Sequence, residues 1–419
     1  MNRRRFLTAA TSGAVFFNSD AVDRARAAST DRRPPEAAAQ DEDYWREIQQ
    51  AFTVDRNLVN FNNGGVCPSP RIVQEAMRRY LEFSNMLPAY NMWRILDPQV
   101  ESVRTRLAGL LGVDREEVAI TRNASEALEI AQLGLDLKNG DEVLITDQDY
   151  PRMLTTWEQC QRRNGISVRR LPFKVPVKSE DDLVRTFEQA ITPKTRVIHF
   201  CHVTNLSGQI FPVKKICQMA RSRGIETIVD GAHTFAHFPA KYDELQCDYY
   251  GTSLHKWLLA PHGTGMLFVR REKIAKLWPM FAASPSQDND IRKFEQIGTH
   301  PSANFLAIGE AITFHQTIGP ERKFARLRYL RQLWTSRLIS RPGLGLGTLT
   351  PPEAGGLGLL TLDGRDPAKF GDKLLTEHQF LTVPIIREDY RGLRITPNIY
   401  TTLDEIDRFC SAVEKLAKA

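Results

Sequence analysis

Six cysteines occur in the 419-residue chain, Cys67, Cys160, Cys201, Cys217, Cys247 and Cys410, and none forms a CxxC pair or a zinc-type spacing. No metal site is therefore expected. Cys201 falls in a strand-like run and Cys217 in a helix-like one, so buried free thiols are expected, although an exported chain could oxidise them. Internal repeats are absent. No apolar run approaches the ~20 residues that a membrane-spanning helix needs, so no membrane anchor is expected. An excess of one charge is also missing from the body of the chain. The formal net charge is +6, but residues 1–27 alone hold five arginines and two aspartates. Without them, 51 basic side chains stand against 48 acidic ones. The basic balance gives no reason to invoke nucleic acid.

What is present begins with Arg3-Arg4-Arg5-Phe6-Leu7 and a short apolar stretch to Phe17, closing on Ala25-Arg26-Ala27. That order matches a twin-arginine export signal with an A-x-A cleavage site, and it predicts a periplasmic protein. Export in the folded state suits a protein that loads a cofactor first. Residues 28–43 are rich in Pro, Ala and charge and are expected to be a flexible linker, and 44–69 an N-terminal arm with a helix over Tyr44–Phe52.

From about Pro70 to Arg270, helical and strand-like segments alternate. Val118–Thr121, Val143–Thr146, Val168–Leu171, Val197–Cys201, Thr227–Val229 and Gly265–Val269 are apolar strand candidates. The spacing of Val100, Val103, Leu107, Leu110 and Leu111 predicts a helix stopped by Gly112. Strands separated by helices indicate a mainly parallel sheet, an α/β fold. A long helical region is expected from Asn304 to Arg337. Strand-like Gly358–Leu362 and Gly392–Ile395 then precede a last helix, Leu403–Lys418.

Asp230 ends the run Glu226-Thr227-Ile228-Val229, and Lys256 follows a short strand, Asp248-Tyr249-Tyr250, in Ser253-Leu254-His255-Lys256. Ligands of open α/β sheets bind outside the carboxyl ends of the strands, so both groups would reach one cleft. A pyridoxal 5′-phosphate (PLP) enzyme needs this pair: a lysine for the Schiff base and a carboxylate for the pyridinium nitrogen. On these residues the chain resembles the class V aminotransferase family of fold-type I PLP enzymes, in its isopenicillin N epimerase-like branch.

The resemblance covers about Asn60 to the end. It implies a large PLP-binding domain over residues 70–290 and a smaller C-terminal α+β domain over 291–419. It makes Lys256, Asp230 and Tyr150 the catalytic candidates. Thr121-Arg122-Asn123-Ala124-Ser125-Glu126 opens a helix after a strand, a ready anion site, although Asn and Ser also cap ordinary helices. Relatives hold the cofactor phosphate there, so Ala124 and Ser125, with Ser253 and His255, are implied as its cradle. Asn205 and His233 are implied beside the ring oxygen. Tyr150 would stack on the ring or donate a proton, and a packing tyrosine fits the position nearly as well. Thr299, in Gly298-Thr299, matches a family pair that reaches the neighbouring subunit's phosphate, which implies a homodimer with shared active sites.

For the substrate, Arg394 matches the family's carboxylate arginine, whose planar fork suits a carboxylate. Arg387 and Asn63 are further candidates, and Asn62, Tyr90, Trp93 and His300 could line the pocket or be structural. Desulfurases need a mobile-loop cysteine shortly before that arginine motif, and none lies between Cys247 and Cys410. The expected substrate is an amino acid or amine, free or peptide-borne. Transamination ranks first with epimerisation almost level, a β-lyase behind, and a non-catalytic binding protein last.

Overall fold

The computed structural model describes residues 33–348 and 355–418. The export signal expected over residues 1–27 lies outside them. The described residues hold thirteen strands, β1 to β13 in chain order. Seven form the main sheet: β2 (Val118–Thr121), β3 (Glu142–Thr146), β4 (Ser167–Leu171), β5 (Thr195–Cys201), β6 (Glu226–Asp230), β7 (Tyr249–Ser253) and β8 (Gly265–Val269). Their order is β2-β8-β7-β6-β5-β3-β4, with β8 antiparallel to both neighbours and every other pairing parallel.

Alternation along these strands divides the core in two. Met266 and Phe268 of β8 join Ile120, Leu144, Phe200 and Val229 on one face. Leu267 and Val269 join Ala119, Val143, Ile145 and Ile228 on the other. Both faces are covered by crossover helices, which is why these strands read as unbroken apolar runs. The Val100–Leu111 helix ends at Gly112 in the left-handed conformation (φ 80°), as its stop signal requires.

A four-stranded antiparallel sheet holds β9 (Leu344–Leu346), β10 (Gly358–Leu362), β12 (Val383–Ile386) and β13 (Arg391–Ile395), in the order β12-β13-β10-β9. Two short strands, β1 (Val59–Asn60) and β11 (Phe380–Leu381), pair in parallel. They bring the N-terminal loop against the C-terminal part of the chain. The Leu403–Lys418 helix lies where the pattern predicts it.

Two expectations change. The long helix is three: Ser302–Leu306, Ile308–Ile318 and Pro320–Leu338. Gly319 (φ 91°) ahead of Pro320 breaks the last pair, because proline cannot donate into a continuing helix. The supposedly flexible stretch is partly ordered. Pro35–Ala39 is helical, Trp45 Nε1 donates to the Ala38 carbonyl at 2.8 Å, and buried Arg326 binds the Ala39 carbonyl at 2.8 Å and pairs with Glu42. The following helix is Glu42–Gln49, started by the Asp41 side chain and ending before Phe52. None of the helices among the described residues is long and apolar enough to cross a membrane.

Candidate active site

The carboxyl ends of β2, β3, β5, β6 and β7 open onto one cavity of about 580 Å³. Ala124, Ser125, Tyr150, Asn205, Asp230, His233, Ser253, His255 and Lys256 all line it. Five segments separated by up to 132 residues of sequence are thus gathered at one edge of the sheet.

Asp230 is the last residue of β6 and is buried. One carboxylate oxygen accepts the Ala232 N–H at 2.8 Å and the other meets Cys201 Sγ at 3.7 Å. Burial raises its pKa, opposed by the Ala232 bond and by Lys256. A cationic ring nitrogen beside it would draw it back down. Lys256 is half-buried in the cavity wall, and loss of hydration pulls its amine down to about 8, with Asp230 opposing. Its Nζ lies 3.3 Å from His233 Nε2. Burial holds His233 far below the usual imidazole range, so it stays neutral and can accept from the amine. Behind it, His237 bonds the His233 carbonyl at 2.8 Å, accepts the Gly356 N–H at 2.8 Å and stacks on Trp257 at 3.5 Å. The ring facing Lys256 is therefore braced by the turn that follows it.

The turn after β2 is pinned from two sides. Asn123 Oδ1 caps the Ala124–Gly134 helix by accepting the Glu126 N–H at 2.9 Å, and Ser253 Oγ accepts the Ala124 N–H at 2.9 Å. A Cβ on Gly265 would come within 2.6 Å of the Asn123 backbone, so only glycine allows this approach. The helix N-terminus, with its free N–H groups and dipole, then faces the cavity. His255 Nδ1 donates to the Thr264 carbonyl at 3.0 Å, which leaves Nε2 as its other polar atom.

Arg394 of β13 is buried, and its pKa falls to about 10. It donates to the Asn205 carbonyl at 2.9 Å and to Asn62 Oδ1 at 2.6 Å. Tyr150 immediately precedes the Pro151–Asn164 helix and is 41% exposed at the cavity wall. Its approach is fixed by the preceding Asp149, which accepts from Thr146 N and Oγ1 at 2.7 Å and from Cys201 N at 2.6 Å.

Three candidates sit elsewhere. Arg387 pairs with Asp147 at 2.8 Å and with Asp389 at 3.2 Å and lines a different cavity. Asn63 is fully buried and consumed by bonds to the Asn60 and Thr396 carbonyls, both 2.9 Å, and to the Tyr400 hydroxyl at 2.6 Å. Its role is to hold the loop, and its neighbour Asn62 is the one that touches Arg394. Thr299 is exposed and does not line the cavity of its own chain. Tyr90 and Trp93 are also exposed, and His300 Nδ1 bonds the Gly298 carbonyl at 2.9 Å.

Cys201, Gly65, Arg122, Arg152 and Met280 line the cavity without having been singled out. Cys201 and Arg122 each close or follow a strand that points at the site. That position was legible, and its consequence for these two was not drawn.

Asn205 Oδ1 and His233 Nδ1, in residues of the cavity wall, are buried with no partner among the described residues, as is Nε of Arg394, which does not itself line the cavity. Buried polar atoms are normally satisfied, so this set asks for a polar ligand. A cavity-wall lysine, a strand-end carboxylate, a neutral imidazole and a helix N-terminus fit PLP: an aldehyde, a ring nitrogen, a ring oxygen and a phosphate. Fold and site together define a fold-type I PLP-dependent enzyme. The match is borne out by comparison: residues 59–379 fit the model described as "Aminotransferase class-V". The chain belongs to the class V aminotransferase family.

Isopenicillin N epimerase of Streptomyces clavuligerus is 32% identical over 394 residues, covering 89% of this chain and 98% of that protein. The enzyme of the same description from Amycolatopsis lactamdurans is 31% identical, covering 89% and 99%. Among solved structures, the C-DES lyase with glycine covalently linked to its PLP cofactor superposes with a TM-score of 0.78 at 22% identity, covering 87% of this chain and 98% of that one. An apo cysteine desulfurase from Thermococcus onnurineus gives 0.76 at 19% identity, covering 89% and 98%.

Proposed function

We propose that this protein is a Cα epimerase of an amino acid residue, acting in the periplasm on a peptide-borne substrate as a homodimer. The carrying observation is that two proton-bearing groups from different strand ends, Lys256 and Tyr150, line one cavity. Transamination needs only one such group to move protons between Cα and the cofactor. Inversion is served by two, one to remove the proton and one to return it on the other side. The full-length likeness to two isopenicillin N epimerases supports the same choice over transamination.

When bound, PLP is carried on Lys256 and supplies the electron sink that acidifies the substrate Cα–H. Arg394 holds the substrate carboxylate with its fork, already aimed by Asn62 and Asn205. Lys256, with an amine near pKa 8, is suited to take and return a proton near neutral pH. Tyr150 supplies a hydroxyl at the cavity wall. Asp230 would hold the ring nitrogen, and His233 stays neutral toward Lys256.

The dimer reading is supported by Thr299 being exposed away from its own cavity, and by the exposed apolar side chains Met86, Leu87, Tyr90 and Trp93. The test is incubation of holoprotein with single amino acids and γ-glutamyl peptides in deuterated buffer without a keto acid. Deuterium at Cα with inverted configuration is expected. A keto acid formed once per site, with no inversion, would make the protein an aminotransferase instead.

A further inference from the structure

Cys201 ends β5 and is the register partner of Asp230, which ends the parallel neighbour β6. Side chains alternate between the faces of a strand, so register partners in a parallel pair share a face. Both residues line the cofactor cavity. Cys201 Sγ lies 3.7 Å from Asp230 Oδ2, while Oδ1 accepts the Ala232 N–H at 2.8 Å. Among the described residues, the thiol is the one donor to Oδ2. Each oxygen thus has its own contact, and the carboxylate is held from both ends. Burial lifts the thiol well above its ordinary range, with Asp230 and Asp149 adding to it, so the sulfur keeps the proton it donates. Burial also pushes Asp230 toward its neutral form. A hydrogen bond to the charged form works against that push.

The backbone of the same residue has a separate task. Cys201 N–H donates to Asp149 Oδ1 at 2.6 Å, which ties β5 to the turn that carries Tyr150. That bond does not involve the side chain, so the thiol can be exchanged without releasing the turn. We infer that Cys201 is a positioning residue for the cofactor: its thiol keeps Asp230 ionised and oriented in the cavity to hold the PLP ring nitrogen. Cys201 acts through Asp230 and takes no proton itself. The assignment applies equally to inversion and to transamination, so it does not rest on the epimerase reading.

The test uses two probes that differ at one ring atom: PLP, and its deaza analogue with a C–H in place of the ring nitrogen. Their dissociation constants are measured by equilibrium dialysis for the wild type, Cys201→Val and Cys201→Ala. Valine keeps the bulk of the thiol and alanine removes it, but both lack the donor. Both variants should bind PLP about fivefold more weakly, the effect of one lost hydrogen bond. Both should bind the analogue as the wild type does, which also reports an intact fold. In an Asp230→Asn background neither exchange should alter PLP affinity. Nitrogen-15 in the ring of bound PLP gives a signature separate from affinity, and its resonance should move in both variants toward that of an unprotonated pyridine. Equal weakening of PLP and the analogue, a loss in one variant alone, or a loss that persists without Asp230 would make Cys201 a packing residue and overturn the inference. Unchanged PLP affinity or an unmoved resonance in both variants would overturn it as well.

Discussion

Acidification should cost this fold stability through imidazoles that cannot take up a proton, and His199 makes the effect measurable. His199 is buried in β5, and its Nδ1 accepts the Trp157 Nε1–H at 3.0 Å. Protonating Nδ1 would break that bond and bury a charge with no counter-ion. Burial accordingly holds His199 at about 3. In the unfolded chain an imidazole titrates near ~6.5. Between pH 7 and 5 the unfolded state therefore gains a proton that the folded state refuses. Stability is retained above the unfolded value and falls as pH drops below it. The linkage relation gives a loss of about 2 kcal/mol over that interval for one such group. His202 and His237, also lowered to about 3, add similar amounts. Asp149, raised to about 6 by burial, opposes them by about 1 kcal/mol, because its folded form takes up a proton first. The perturbation is His199→Gln, whose amide oxygen can still accept from Trp157. Urea unfolding of holoprotein, followed by circular dichroism at pH 7 and pH 5, gives the pH-dependent loss for each protein. The variant should lose about 2 kcal/mol less than the wild type, and cofactor effects common to both cancel. An identical loss in the two proteins would refute the assignment of a neutral, uncompensated His199.

Four further outcomes are expected. Lys256→Ala should abolish turnover and the visible absorbance of the bound cofactor while leaving the circular dichroism spectrum unchanged; unchanged biological activity would support a binding role instead. Arg394→Ala removes a charge-assisted fork and should raise KM for an amino acid by about 100-fold, or ~3 kcal/mol, with Asn62→Ala costing several-fold through lost aim, both read by steady-state kinetics. Gly265→Ala forces its Cβ onto the Asn123 backbone and should weaken cofactor binding at least tenfold by equilibrium dialysis. Arg104→Met leaves Glu295, now bonded to it at 2.5 Å, without its buried partner and should cost ~3–5 kcal/mol in urea unfolding.

Much of the fold could be read because the main strands are buried on both faces and stand out as apolar runs. Val118–Thr121 and Gly265–Val269 are such runs, and the structure keeps their ends. Asp230 and Lys256 were legible for the same reason, since a strand end fixes where a side chain emerges. Arg394 was read from its motif, but its partners were not: Asn62 and the Asn205 carbonyl reach it across 332 and 189 residues. Asn63 and Asn62 illustrate the limit. Adjacent and chemically identical, they are separated only by which one the β1–β11 pairing turns toward Tyr400. Arg387 was misplaced because its ion pair with Asp147 is a contact between remote segments that no local pattern records. The Gly319–Pro320 break was in plain view and was overridden by the apolar periodicity on either side.

Arg394 is tied to two remote stretches of chain, whereas the Ile386–Arg391 turn a few residues earlier is largely exposed. The two therefore differ in what variation they tolerate. Insertions or exchanges in the turn would reshape the cavity that Arg387 lines while leaving the carboxylate fork where it is. A lineage with this scaffold can thus vary that surface one hairpin at a time, with the buried arginine held constant.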